Sequence, residues 1–302
     1  GISLESKTLN SKLTNIASIK HFYQRSAAIS IDFTGVGPLE KNTYSLFGYG
    51  NVIKYQITPA LVANLGYEFT IRQPDVEELF GDFIRIIPNP ELRPEESQNI
   101  NAGITIDFGG GKIKSGSSFF YRNTTDRIFL LNTNFGNSQF INFAATETTG
   151  FEVNTTYQID KQLSLSLNGT YQNPILKEIE PGTGISNSSI GLRIPNEPYL
   201  FANLIANYSI DQLPITQGKI KMRYSFNYVH SFLPTFEQSS NQADIPTQKV
   251  HYLSAVWLAP EEKWSLGVEC RNLFNARVFD NFNVQRPGRS FYVKARFFLN
   301  KI

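Results

Sequence analysis

Cysteine is nearly missing. The chain has 302 residues and a single one, Cys270. No disulfide can form within it, and C-x-x-C redox and zinc motifs are excluded. Cys270 reads as a small apolar residue on a strand. Histidine is almost as scarce, limited to His21, His230 and His251. His230 and His251 flank one long connection and could meet there, or stand as a plain surface pair. No apolar run reaches the roughly 18 residues of a transmembrane helix. The first residues, Gly1, Ile2, Ser3, Leu4 and Glu5, lack the basic and apolar regions of a secretory signal. The expectation is a mature protein without one, or a piece of a longer chain. Charge of one sign is also lacking: the formal net charge is +2, and no basic run occurs. Nucleic acid is therefore not an expected partner. No G-x-S-x-G, H-E-x-x-H or phosphate-cradling loop is present, and Gly109, Gly110 and Gly111 form too short a stretch for one. The chain is not expected to be an enzyme, and neither a cofactor nor a metal site is predicted.

What the chain has is aromatic residues and alternation. Phe (24) and Tyr (14) are heavy for a chain with 18% charged residues. From Asn99, the set Ile100, Ala102, Ile104, Ile106 and Phe108 faces away from Asn101, Gly103, Thr105 and Asp107. The same period of two recurs from Leu61 to Arg72, from Phe151 to Ile159 and from Leu163 to Tyr171. It returns from Leu200 to Ile210, from Ile220 to Tyr228, from Trp264 to Arg271 and from Phe291 to Leu299. Each is a strand with one apolar and one polar face. At about 10–13 residues they exceed the usual globular strand of about 5–6 and suit a tilted crossing of a bilayer, which needs about 9–11. The connections alternate. Short ones fall at 58–59, 109–111, 160–162 and 260–262; long ones at 34–42, 73–97, 124–146, 173–197, 232–247 and 273–288. The connection at 211–218 is intermediate. This sorting predicts an all-β, antiparallel, up-and-down transmembrane β-barrel, one domain over 1–302, with about twelve strands from Ile19 onward and one or two more in 1–18. Tyr44, Tyr121, Tyr199 and Phe291 near strand ends fit an interfacial aromatic girdle, although aromatics favour strands in any setting.

Four motifs then appear in order. The first is Arg72, Gln73 and Pro74, followed by Glu77, Glu78, Leu79 and Phe80, and then by Asn89, Pro90, Glu91, Leu92, Pro94 and Glu95. The second, starting at Thr148, reads "TTGFEVNTTYQIDKQLSLSLNGTYQN"; the third, starting at Arg193, reads "RIPNEPYLFANLIANYSI". The fourth is Asn272, Leu273, Phe274 and Asn275, followed by Pro287, Gly288 and Arg289 and a terminal amphipathic strand. Together they resemble the barrel of TonB-dependent outer-membrane receptors over about 42–299.

That resemblance implies an active importer of a scarce ligand, most often a ferric siderophore, in the Gram-negative outer membrane. Its barrel would have about 22 strands and a plugged lumen, and energy would be delivered through TonB. No stretch of this chain resembles the plug or the TonB box. The expectation is therefore the C-terminal portion of the barrel, with the TonB complex acting through an N-terminal region absent from this chain. Partners would be outer-membrane lipid and a ferric chelate or similar small ligand. The C-terminus would be periplasmic and the long loops extracellular. Within the external 73–97 loop, Pro74, Pro88, Pro90 and Pro94 stiffen the backbone. Arg72 can pair with Glu77 or Glu78, and Asn89 can initiate a turn. Arg72, Glu77, Glu78, Phe80, Phe83 and Arg85 are the candidate ligand residues, offering an apolar and cationic surface to an anionic aromatic chelate. The plainer reading is that Arg72, Glu77 and Glu78 only hold the loop folded, and that Pro287, Gly288 and Arg289 are a turn feeding the last strand. Heme-importing relatives carry a histidine between the first two elements of this loop; 75–88 holds none, which favours a ferric chelate over heme. Two alternatives stand: a complete passive channel of about 12–14 strands, and a soluble β-rich binding or adhesion protein.

Overall fold

The computed structural model describes residues 1–32, 35–82, 85–132, 138–179, 181, 185–214, 216–234, 236, 244–260, 263–280 and 284–298. The chain opens with the short strand β1 (Ile2–Thr8) and the long strand β2 (Leu13–Asp32). After them come β3 (Gly35–Thr58), β4 (Leu61–Arg72), the helix α1 (Val76–Phe80), β5 (Ile86–Ile87), β6 (Glu95–Phe108), β7 (Ile113–Asn132) and β8 (Ser138–Gln158). The rest are β9 (Leu163–Leu176), β10 (Leu200–Ile210), β11 (Lys219–Val229), β12 (Gln248–Leu258), β13 (Trp264–Arg271) and β14 (Ser290–Phe297). All fourteen belong to one sheet. Thirteen follow each other in chain order, and β5 stands off that path, pairing parallel to β8. The predicted up-and-down order and the twelve strands from Ile19 onward are thus present, with β1 added.

Two of the expected long loops are not loops. Residues 35–42 belong to β3 and 124–132 to β7, so the 34–42 and 124–146 connections are largely strand. Strands β2, β3, β7 and β8 reach 20, 24, 20 and 21 residues, well past the length inferred from alternation. The reason is physical. Alternation marks only the stretch that needs an apolar face, whereas a ladder of backbone hydrogen bonds can continue with polar residues such as Lys41, Asn42 and Thr43 on either side.

By contact density the chain forms two compact units. One comprises Gly1–Gly103, Phe119–Thr149 and Asn173–Ile194; the other Ile104–Ser118, Gly150–Gln172 and Pro195–Ile302. In the first unit the register sets His21 opposite Phe47, Ile19 opposite Tyr49 and Tyr49 opposite Phe69, so these residues share the apolar face. Tyr44 is a correction. It lies inside β3 on the other face, not in a girdle, and its hydroxyl donates to the Leu92 carbonyl. In the second unit Leu253 pairs with Cys270 and Val268 with Val293, which places Cys270 on the apolar face as expected. The opposite face is polar: Glu269 accepts from Arg271 at 2.6 Å and from Lys294 at 3.0 Å. The two strands at the ends of the path are bare. Every residue of β1 is exposed, and in β14 Val293 and Phe297 keep 73% and 72% of their surface while Lys294 and Arg296 on the other face are exposed too.

A braced loop at the strand ends

The first motif begins where β4 stops. Pro74 cannot donate to a ladder, and Asp75 opens α1. Glu78 reaches back so that its Oε2 accepts the Asp75 N–H at 2.8 Å, the arrangement of a capping box. The helix ends at Gly81, whose φ of 69° is a conformation open chiefly to glycine. A Cβ there would also lie 2.0 Å from the Ile86 carbonyl oxygen. This one-turn helix was not foreseen, because five residues carry too little periodicity to register.

Burial fixes the loop. Leu79, Leu92 and Ile128 form a small core with Phe80 and Phe140 packed against it. Leu79 and Leu92 keep 1% and 0% of their surface, worth about 2 kcal/mol each. Backbone carbonyls in so proline-rich a stretch find few N–H partners, and side chains from other strands serve instead. Gln24 donates to the Pro74 carbonyl at 2.9 Å, Gln139 to Pro88 at 3.0 Å, and Asn42 to Pro90 at 2.8 Å. Asn142, buried in β8, makes three bonds: its Oδ1 accepts the Arg93 N–H at 2.7 Å, and its amide donates to the carbonyls of Arg93 at 2.9 Å and Asp126 at 2.7 Å. Asn89 does initiate a turn, its Oδ1 accepting the Glu91 N–H at 3.3 Å, while its amide donates to the Phe140 carbonyl.

The candidate ligand residues divide accordingly. Arg72 pairs with Glu78 at 3.0 Å and with Glu95 at 2.8 Å, and Glu95 also accepts the Ile128 N–H at 2.8 Å. Of the two partners considered for Arg72, the structure selects Glu78 and adds Glu95; Glu77 is exposed and, among the described residues, in no ion pair. Arg72 and Glu78 are thus braces, and Phe80 is half-buried against the core. Arg85 is exposed; its backbone N–H is held by Asp82 at 2.7 Å and its carbonyl accepts from Ser138 at 2.8 Å. Its guanidinium and the Glu77 carboxylate are the members left facing solvent. Phe83 lies outside the described residues. Gln24, Asn42, Gln139 and Asn142 escaped the sequence reading, and Tyr44 figured there only as a girdle residue. They lie about 50 residues from what they hold, and no local pattern marks them.

The last motif is a second braced turn. Asn272, at φ 51°, closes a ring with Ala276 through two 2.8 Å bonds. The Oδ1 of Asn275 accepts the Arg289 N–H at 2.9 Å and would lie 2.4 Å from a Cβ at position 288, so Gly288 is a packing requirement. Arg289 reaches the Leu273 carbonyl at 3.4 Å. The Leu273 N–H donates to the His251 backbone carbonyl at 2.8 Å, and the His251 ring meets the exposed Phe274 edge-on at 4.8 Å. His251 stands opposite Phe226, whereas His230 lies four residues further along the chain than Phe226, beyond the Val229–Gln248 pair; the two histidines do not meet.

The first braced loop, and the strands from β2 up to the start of the second turn, coincide with a sequence profile described as TonB dependent receptor-like, beta-barrel, which matches residues 12–273. The chain belongs to this family. No curated protein matches it by sequence. Among solved structures, the copper transporter OprC superposes with a TM-score of 0.72 at 15% identity, covering 96% of this chain and 46% of that one. BauA, the ferric preacinetobactin receptor of Acinetobacter baumannii, gives 0.69 at 16%, covering 97% and 41%. FyuA, the ferric yersiniabactin uptake receptor of Yersinia pestis, gives 0.69 at 18%, covering 96% and 43%. These likenesses concern the fold. The chain spans less than half the length of each of these structures. The TonB-dependent receptor family resides in the Gram-negative outer membrane, and its members are transport receptors that import small ligands.

Proposed function

We propose that residues 1–302 form the C-terminal barrel portion of an outer-membrane receptor that takes up a ferric chelate with energy delivered through TonB. The long connections face the outside and the C-terminus faces the periplasm. The observation that carries this reading is the 73–97 loop. It is braced by five side chains from neighbouring strands yet presents the Arg85 guanidinium to solvent, as a rigid rim that meets an anionic ligand would. Several structural neighbours are iron or ferric-siderophore receptors, which supports iron as cargo; OprC, a copper transporter, makes copper the second reading.

A passive channel complete in itself fits less well. Bacterial single-chain barrels close with an even number of strands, and the path among the described residues has thirteen. The bare edges of β1 and β14 would each leave backbone groups unpaired in lipid, at several kcal/mol per group. The test is reconstitution of this chain into planar bilayers, together with fluorescence titration by ferric catecholate, ferric hydroxamate and copper(II). The expected result is a chain that needs detergent or lipid, shows no discrete conductance steps and is quenched by a ferric chelate. Steady conductance steps would favour the passive channel. A monomer that folds in buffer without detergent would sink the membrane assignment.

A further inference from the structure

In the second unit the apolar face ends, toward the long connections, in a row of rings. Tyr199 lies 4.8 Å and Tyr228 6.2 Å from His230, and Phe226 lies 4.6 Å from His251. Tyrosine hydroxyls hold both imidazoles, Tyr199 at 2.8 Å from Nδ1 of His230 and Tyr224 at 2.7 Å from Nδ1 of His251. On β12, the strand that carries His251, Lys249 helps to line a cavity of about 450 Å³, with Pro246, Thr247, Ala276, Arg277 and Phe279. The register places Lys249 opposite Tyr228 and two residues before His251, on the same face as the rings. The lining holds two cations and a hydroxyl but no carboxylate. Asp280, next to Phe279 in the chain, directs its Oδ1 to the Val284 N–H at 2.9 Å. Among the described residues neither Lys249 nor Arg277 is in an ion pair.

Two unpaired cations around one cavity call for an anion, and phosphate oxygens suit an Arg and Lys pair. The position decides the source. Tyrosine and tryptophan rings settle at the headgroup level of a bilayer, so a cation pocket on the same face and at the end of that row meets lipid phosphate first. We propose that this cavity binds the phosphate of an outer-leaflet lipid headgroup. The inference rests on the membrane orientation proposed above.

The test is native mass spectrometry of the whole chain in detergent, titrated with bis-phosphorylated lipid A, with enzymatically dephosphorylated lipid A, and with inorganic phosphate as competitor. Each basic residue near an anionic lipid surface contributes modestly, so the Lys249→Gln/Arg277→Gln double variant should bind the phosphorylated lipid about tenfold less. A Lys249→Arg/Arg277→Lys variant should bind as the parent does. Heat-modifiable migration checks folding in every case, and Lys221→Gln/Arg223→Gln on the polar face should change nothing. Unchanged binding by the Gln double variant, or an equal loss in the polar-face control, overturns the inference. Displacement by millimolar inorganic phosphate, or equal binding of the dephosphorylated lipid, overturns the lipid assignment. A chain that does not enter bilayers overturns the membrane reading and this inference with it. Insertion with unaltered lipid binding in the Gln double variant overturns this inference alone.

Discussion

Asn142 should be the residue whose loss frees the rim loop most cheaply. Replacing it with leucine keeps much of its volume and removes three hydrogen bonds, those to the Arg93 N–H and to the carbonyls of Arg93 and Asp126. At 8% exposure water has little access to the abandoned groups. At about 1 kcal/mol per bond the closed loop loses about 3 kcal/mol. Since about 1.4 kcal/mol is a factor of ten, the opening equilibrium shifts roughly a hundredfold. Amide hydrogen exchange read by mass spectrometry on the detergent-solubilised chain measures this. The amides of Leu79 and Asn89, bonded to Asp75 at 3.0 Å and Leu79 at 2.9 Å, should exchange about a hundred times faster in Asn142→Leu. Those in the 159–162 turn should not change. The Arg93 amide is left out because the substitution removes its acceptor directly. Rates for Leu79 and Asn89 within about threefold of the parent would show that the core of Leu79, Leu92 and Ile128 holds the loop alone, and the reasoning about side-chain braces would fall.

Arg72→Ala should loosen the same loop by about 1–2 kcal/mol, because Glu78 and Glu95, only 13% and 14% exposed, are left facing each other; solvent screening of Arg72, itself 42% exposed, limits the loss. Raising salt to about 1 M should shrink that difference, which exchange at two ionic strengths will reveal. Gly288→Ala drives a Cβ against the Asn275 oxygen that holds the Arg289 N–H. It should therefore reduce the heat-modifiable folded fraction of the refolded chain, and Asn275→Ala combined with it should recover part of the loss by removing the clash.

Nearly the whole strand count could be read from the chain because a period of two is a local property, and the strand order because short connections join neighbours. Each residue in Leu61 to Arg72 or Ile220 to Tyr228 reports its own face, with no knowledge of its neighbour in space. The two motif turns were legible for a similar reason. Their proline, glycine and asparagine positions are backbone requirements, met within a few residues at Asn272 to Ala276 and across one hairpin at Asn275 to Gly288. What the alternation could not show was where strands such as β3 and β7 continue beyond the apolar stretch, since polar residues extend a ladder without any pattern. Nor could it show which charges of the rim loop are spent. Arg72, Glu78 and Phe80 looked as available as Glu77 and Arg85 in the sequence. Only the fold sets Glu95 beside Arg72 and Phe140 and Ile128 against Leu79, contacts that join residues 23 to 61 positions apart. Chemistry that depends on which side chains remain free is settled by such distant partners, and therefore by tertiary structure.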